Sequence, residues 1–184
     1  GAQAGMNGAV MQMFNHGTIT AMLFLLVGVL YDKVHHRWIT YPENYKDQNL
    51  AGKIAFGGLA AQMPIYSALV AFAFFAGLGL PALSGFISEA LCFIGAFSAF
   101  KLITVIGTLG ILLNAIYFLR AYQRVFLGPL NKVYNELTDI NVRELATVIP
   151  IAFFVLLFGL YPKPLVDMVS SSIGALIEII QRAM

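Results

Sequence analysis

From Pro64 to Phe100 the chain runs for 37 residues with a single charged side chain, Glu89, around a cluster of helix breakers. No other feature constrains the fold so tightly. As one straight helix the run would extend ~55 Å, against a bilayer hydrocarbon core of ~30 Å. Its middle reads Gly77-Leu78-Gly79-Leu80-Pro81-Ala82-Leu83-Ser84-Gly85, where glycine and proline interrupt regular hydrogen bonding. Two organisations fit: a tight hairpin of two spans, or one crossing by a discontinuous helix.

Basic residues decide between them. Lys33, Arg37, Lys46 and Lys53 precede the run, and Arg120, Arg124, Lys132 and Arg143 lie in or beside the loop after the next span. A single crossing puts both loops on one side, with eight of the eleven basic residues. A hairpin would put them on opposite sides. The tendency of lysine and arginine to gather on the cytoplasmic face favours a single crossing, so the sequence predicts a discontinuous helix broken near Pro81–Gly85.

The rest of the chain fits a membrane setting. Of its 184 residues 59% are hydrophobic and 11% charged, well under the ~25% charged of a soluble domain, and the mean hydropathy is +0.80. Further spans are expected over about 7–30, 102–119 and 145–161. The first ends in the aromatic and basic cluster Tyr31-Asp32-Lys33-Val34-His35-His36-Arg37-Trp38, an interfacial pattern. The Lys46-Asp47 pair falls in the polar loop that follows. After Pro162-Lys163-Pro164, the apolar residues Leu165, Met168, Val169, Ile173, Leu176, Ile177 and Ile180 recur on one helical face. The expected fold is all-α and polytopic. It has about four spans in residues 1–163, then an amphipathic helix over 164–184, preferred at the non-cytoplasmic interface, with a fifth span as the alternative at ~20 residues.

Several function classes drop out. No basic tract with interleaved aromatics suggests nucleic-acid binding. The lone Cys92 offers neither a disulfide nor a CxxC metal site. The chain opens with Gly1 and its first basic residue is Lys33, so no secretory signal pattern is present. That opening suggests numbering that starts within a longer or split protein.

Glu89 is the one acidic residue deep in a span. A carboxylate at the bilayer centre costs at least ~2.5 kcal/mol on insertion scales and usually faces water or protein. If Ser84 and Gly85 start the second half-helix, Glu89 sits about one turn inside its N-terminus. There the helix dipole favours the anion while desolvation favours the acid, so proton handling is preferred over a purely structural pairing. His16 shares a stripe with Gln12 at i−4 and Thr20 at i+4, with Asn15 beside it. Both a proton relay and an interhelical hydrogen bond fit that position. Lys101, at a span end, reads as a snorkelling anchor in preference to a relay. Thr104, Thr108 and Asn114 give the third span a sparse polar face suited to packing or bound water rather than to a site.

Three segments carry a family resemblance. They are Asn15-His16-Gly17-Thr18-Ile19-Thr20-Ala21-Met22-Leu23-Phe24 with Gly28-Val29-Leu30-Tyr31-Asp32, Phe56-Gly57-Gly58-Leu59-Ala60 with Met63-Pro64, and Leu78-Gly79-Leu80-Pro81-Ala82-Leu83-Ser84-Gly85-Phe86-Ile87-Ser88-Glu89. They resemble the antiporter-like membrane subunits of respiratory complex I, strongly from Gly8 to Gly128 and weakly beyond. Some members of that family carry lysine where Glu89 stands, and the resemblance favours the glutamate-bearing class. It implies two inverted five-helix repeats, with the His16 span eleventh of fourteen and the broken helix twelfth. It also implies His16 as a connecting relay and Glu89 as the terminal site of a proton half-channel, with Gln12, Thr20, Pro81, Ser84 and Gly85 as supporting polar or hinge positions. The family's first-repeat glutamate and lysine, and its further central lysine, have no counterpart in these residues.

The implied function is proton translocation coupled to NADH oxidation and quinone reduction elsewhere in the assembly. This chain would hold no redox catalytic residue, cofactor or metal; NADH, FMN, iron–sulfur clusters and quinone would belong to partner subunits. Its partners would be the lipid bilayer and other membrane-arm subunits, especially neighbouring antiporter-like chains, in a bacterial cytoplasmic or mitochondrial inner membrane. A cation/proton antiporter or membrane-bound hydrogenase subunit of the same superfamily is the alternative. A scaffold whose polar residues merely join helices is a third reading.

Overall fold

The computed structural model describes residues 2–39 and 55–183; Lys46, Asp47 and Lys53 of the first basic loop lie outside them. Within these residues the chain folds into α1 (Ala2–Val34), α2 (Pro64–Gly77), α3 (Ser84–Ala99), α4 (Lys101–Phe126), α5 (Val142–Leu160) and α6 (Lys163–Ala183). Four of them, α1, α4, α5 and α6, are long and apolar enough to cross a membrane, while α2 and α3 are each shorter.

The two short helices line up along α1 in a fixed order. Near the start of α2, the Tyr66 hydroxyl donates to the Leu26 carbonyl at 2.8 Å. Gly77 at the end of α2 and Gly85 at the start of α3 both lie against Ile19. Next, Ser84 and Ser88 meet Asn15, Leu91 and Cys92 meet Gly8, and Gly95 meets Gly5. The partners on α1 therefore step from 26 through 19, 15 and 8 to 5 without turning back. This is one antiparallel crossing in two pieces, as the charge distribution predicts. The approach of α1 to α3 depends on missing side chains. A methyl group on Gly8 would stand 2.7 Å from Leu91 Cβ and 2.9 Å from the Ser88 carbonyl, the small-residue packing that membrane helices favour.

The basic ends share a side, joined by a clamp of charges at three helix termini. Asp139 accepts from the Ile65 and Tyr66 amides at 2.8 and 3.0 Å, capping α2. Lys33, in the last turn of α1, donates to the Asp139 carbonyl at 3.4 Å and pairs with Glu144 at 3.8 Å. Glu144 closes a capping box with Asn141 at the start of α5. Anions thus sit at two helix N-termini and a cation at a C-terminus, each complementing the local dipole.

Beside the clamp, the His36 ring stacks on Phe56 with centroids 4.8 Å apart. Its Nδ1 accepts from the Trp38 amide at 3.3 Å, which leaves Nε2 to donate to the Tyr134 hydroxyl at 2.8 Å. Desolvation holds His36 below its ordinary 6.5 and pushes the Tyr134 phenol up to about 12.

Helix α4 returns alongside α2. Asn114 donates to the Gly77 carbonyl at 2.8 Å, Phe118 packs on Phe74 at 4.9 Å between centroids, and Tyr122 bonds Ser67 at 2.8 Å. The helix runs to Phe126 rather than ending near 119, because Tyr122 and Phe126 still pack on α2 and its flank after the apolar run has ended. Leu102, Ile103, Ile106, Leu109 and Leu113 face outward. Val148 and Val155 of α5 are buried, and Gly159 sits so close to Ala82 and Leu83 that any side chain there would collide with them. Helix α6 places Ser170 against α1, where Asn7 donates to its hydroxyl at 3.0 Å, and buries Ile173. Most of its remaining surface is open.

Replacing Asp139 by alanine removes the α2 cap and should lower stability by about 1–2 kcal/mol, the usual worth of such a cap, read as a lower denaturation midpoint of the purified protein. For His36 the folded proton affinity is depressed, so its contribution is complete above pH 6.5 and declines as pH falls toward the folded value. The protection of amides around Tyr134, taken relative to their intrinsic exchange rate at each pH, should therefore fall between pH 7.5 and pH 5.5, and His36→Gln should remove that change.

Candidate functional site

The site is built on the break between α2 and α3. Leu78 and Leu80 amides return to Phe74 and Phe75 carbonyls, and the Leu83 and Phe86 amides reach Leu80 and Leu83. Asn114 supplies a side-chain donor to the Gly77 carbonyl. Two residues of the break, Gly79 (φ 71°) and Ala82 (φ 74°), lie in the left-handed region. Alanine there carries strain of about 1–3 kcal/mol; the neighbouring backbone of Ala82 and Leu83 is the part packed on Gly159. Pro81 is exposed at the apex, and Ser84 and Gly85 open the second half-helix as expected.

Glu89 follows in the second turn of α3 and is half-buried. Gln12 Nε2 donates to its Oε1 at 3.5 Å. The other oxygen lies against Gly79, where a Cβ would stand 2.6 Å from it. Gly79 is thus required twice, by its backbone angle and by the carboxylate beside it. Among the described residues no basic side chain forms an ion pair with Glu89. Its electrostatic partners are an amide and the N-terminal end of a helix.

A network behind Gln12 fixes which way that amide points. Asn15, fully buried, donates from Nδ2 to the Ser84 carbonyl at 2.8 Å and to Ser88 Oγ at 2.9 Å. Ser88 Oγ in turn donates to Gln12 Oε1 in a short hydrogen bond. With its oxygen engaged, Gln12 presents its NH₂ to Glu89. Among the described residues, Asn15 Oδ1 and Ser84 Oγ are buried and find no hydrogen-bond partner, a condition that costs about 1–3 kcal/mol per group.

The predicted stripe of Gln12, His16 and Thr20 divides. Gln12 turns toward α3, whereas His16 is exposed, with Nε2 3.5 Å from the Thr20 hydroxyl. The structure does not bring His16 to Glu89. Asn15 and Ser88, not singled out from the sequence, form the middle of the network. Their signal was present: Asn15 falls on the buried stripe of Gly8, Met11, Ile19 and Met22, where a polar residue must find a partner. Asn114, read as packing, is the cap of the first half-helix.

Arranged this way, a carboxyl group can gain or lose a proton inside the membrane fold against a preset amide donor. The assembly resembles known proteins on every measure. The family described as NADH:quinone oxidoreductase/Mrp antiporter, TM, matches residues 1–116. NADH-quinone oxidoreductase subunit M of Rhodobacter capsulatus is 36% identical over 177 residues, covering 96% of this chain and 32% of that protein. NADH-ubiquinone oxidoreductase chain 4 of Arabidopsis thaliana is 34% identical over 175 residues, 95% of this chain and 32% of the relative. A chain in the structure of respiratory complex I from Thermus thermophilus with bound NADH superposes with a TM-score of 0.75 at 27% identity, covering 92% of this chain and 34% of that one. The chain therefore spans about a third of the length of the relatives it matches. With its family match over more than half of its residues, the chain belongs to the NADH:quinone oxidoreductase/Mrp antiporter transmembrane family.

Proposed function

We propose that these residues form part of a proton-translocating membrane-arm subunit of an NADH-quinone oxidoreductase. In this reading Glu89 is a terminal proton site and His16 a relay toward it. The observation that carries the proposal is the placement of Glu89, just past a membrane break, with an amide rather than a cation opposite its carboxylate. A permanent ion pair would hold the anion, whereas an amide and a helix terminus leave both protonation states within reach. The names of the relatives support the same reading: subunit M in bacteria and chain 4 in a plant.

The chemistry divides accordingly. NADH oxidation and quinone reduction, with FMN and iron–sulfur clusters, belong to partner subunits, and this chain supplies proton handling in a bacterial cytoplasmic or mitochondrial inner membrane. Partners on its flanks are other membrane-arm subunits. His16 faces out of the described fold, and its relay role requires that this face meet further polar groups of the complete subunit. In this reading helix α6, bonded to α1 through Asn7 and Ser170, is either an interfacial helix or, at a length sufficient to cross a membrane, a further span. The family also includes antiporter subunits, and co-purifying chains separate the two settings: NADH-oxidising partners support this reading, and antiporter partners alone overturn the coupling.

In the assembled complex, Glu89→Gln should remove most proton pumping while assembly persists; near-normal pumping by an assembled variant would end the role assigned to Glu89. His16→Leu should slow turnover several-fold, and an unchanged rate would reduce His16 to packing.

A further inference from the structure

We infer that Asn15 is a positioning residue that acts on Glu89 through Ser88 and Gln12, and that joins this control to the first turn of α3. The inference rests on Glu89 being a proton site, as proposed above.

A glutamine is ambiguous as a partner for a carboxyl group. Its amide can offer NH₂ to a carboxylate or its oxygen to a carboxylic acid, and rotation by half a turn exchanges the two. Here the choice is made by a chain of donors that starts at Asn15. Asn15 is fully buried and has no solvent to compete for its NH₂. One N–H goes to the Ser84 carbonyl at 2.8 Å and one to Ser88 Oγ at 2.9 Å. Ser88 Oγ has one hydrogen and three acceptors in reach: Gln12 Oε1, and the Ser84 and Gly85 carbonyls at 3.3 and 3.0 Å. Asn15 occupies the Ser84 carbonyl and one lone pair of Oγ, which leaves Gln12 Oε1, the nearest of the three, as the favoured acceptor. Gln12 must then turn Nε2 toward Glu89. Without Asn15 the Ser84 carbonyl is released and competes with Gln12 for that hydrogen, as the Gly85 carbonyl already does. Gln12 is then free to present either end. The bond to the Ser84 carbonyl adds a mechanical link: a shift of α3 against α1 that separates Asn15 from Ser84 also releases Ser88, and with it the orientation of Gln12.

Few other ionisable groups face Glu89 to blur this effect. On α3 itself the next is Cys92, whose sulfur lies 3.9 Å from the Gly5 carbonyl. On α1 it is His16, turned toward Thr20. The nearest on α4 in the chain is Lys101, exposed at its first residue. On α5, Arg143 and Glu144 lie at the opposite end of the fold, and Tyr66 of α2 is engaged with Leu26.

The test uses the assembled complex carrying Asn15→Leu, Ser88→Ala, the double variant and Glu89→Gln, with pumping followed across pH. Ser88→Ala leaves the Asn15–Ser84 bond in place and so keeps the helix joint. Each single variant should displace the pH of half-maximal pumping by about half a unit or more, both in the same direction, and the double variant should move it no further than the larger single change. The infrared carbonyl stretch assigned to Glu89 by its loss in Glu89→Gln should move in both as well. Profiles and bands that coincide with the parent overturn the inference, as do shifts that add. If Asn15→Leu fails to assemble, Ser88→Ala alone decides by the same criteria. An inactive Glu89→Gln beside parent-like Ser88→Ala defeats only the positioning role, whereas a normally pumping Glu89→Gln overturns both proposals.

Discussion

A helix that stops in the middle of a membrane frees carbonyls and amides that lipid cannot solvate, and this fold depends on how they are paired. Each unsatisfied group would cost several kcal/mol in hydrocarbon. The break answers with tight local turns within 74–86 and with side chains from two other helices. Asn114 of α4 takes the freed Gly77 carbonyl, and Asn15 of α1 adds a further bond to the Ser84 carbonyl at the start of α3. The two asparagines bracket the interruption, one on each half-helix. The ends of the break are therefore set by α1 and α4, and Glu89 inherits its position from them.

The basic end of the molecule supplies the second reference point. Lys33, Asp139 and Glu144 bind the termini of α1, α2 and α5 into one joint. With α2 capped at one end and closed by Asn114 at the other, its register against α1 is determined over its whole length. The distance from the clamp to the carboxylate is then a property of helical rise rather than of any flexible loop. This suits the role proposed for Glu89, because the surrounding scaffold does not absorb small displacements.

Much of this was legible in the sequence, for reasons that can be named. An apolar run too long for one crossing and an uneven distribution of lysine and arginine were enough to predict the broken helix. Ser84 and Gly85 marked its restart, and Glu89 was conspicuous because buried charge is rare. What stayed hidden was direction. Gln12 and His16 lie four residues apart and share a stripe, yet a modest rotation between them sends one to α3 and the other outward. Periodicity reports which residues are neighbours on a helix but not which neighbour faces which helix. Asn15 was noticed only as adjacent to His16, because a polar residue on an otherwise apolar stripe discloses its importance only when its partner, 73 residues later, is known. The helix ends were missed for another reason: hydropathy marks the bilayer crossing, while α4 continues on aromatic packing.

The separation between Asn15 and its partners also bears on how the protein is made. The carbonyl and hydroxyl that satisfy this asparagine lie 69 and 73 positions further along the chain. At synthesis rates of ~5–20 residues per second, roughly 4–15 seconds pass before the ribosome supplies them. During that interval α1 carries an unmet amide, with Gln12 beside it, on the face later covered by α3. A segment in that condition is a poor candidate for release into lipid by itself. The contact that orders the finished site would therefore favour insertion of α1 together with the broken helix.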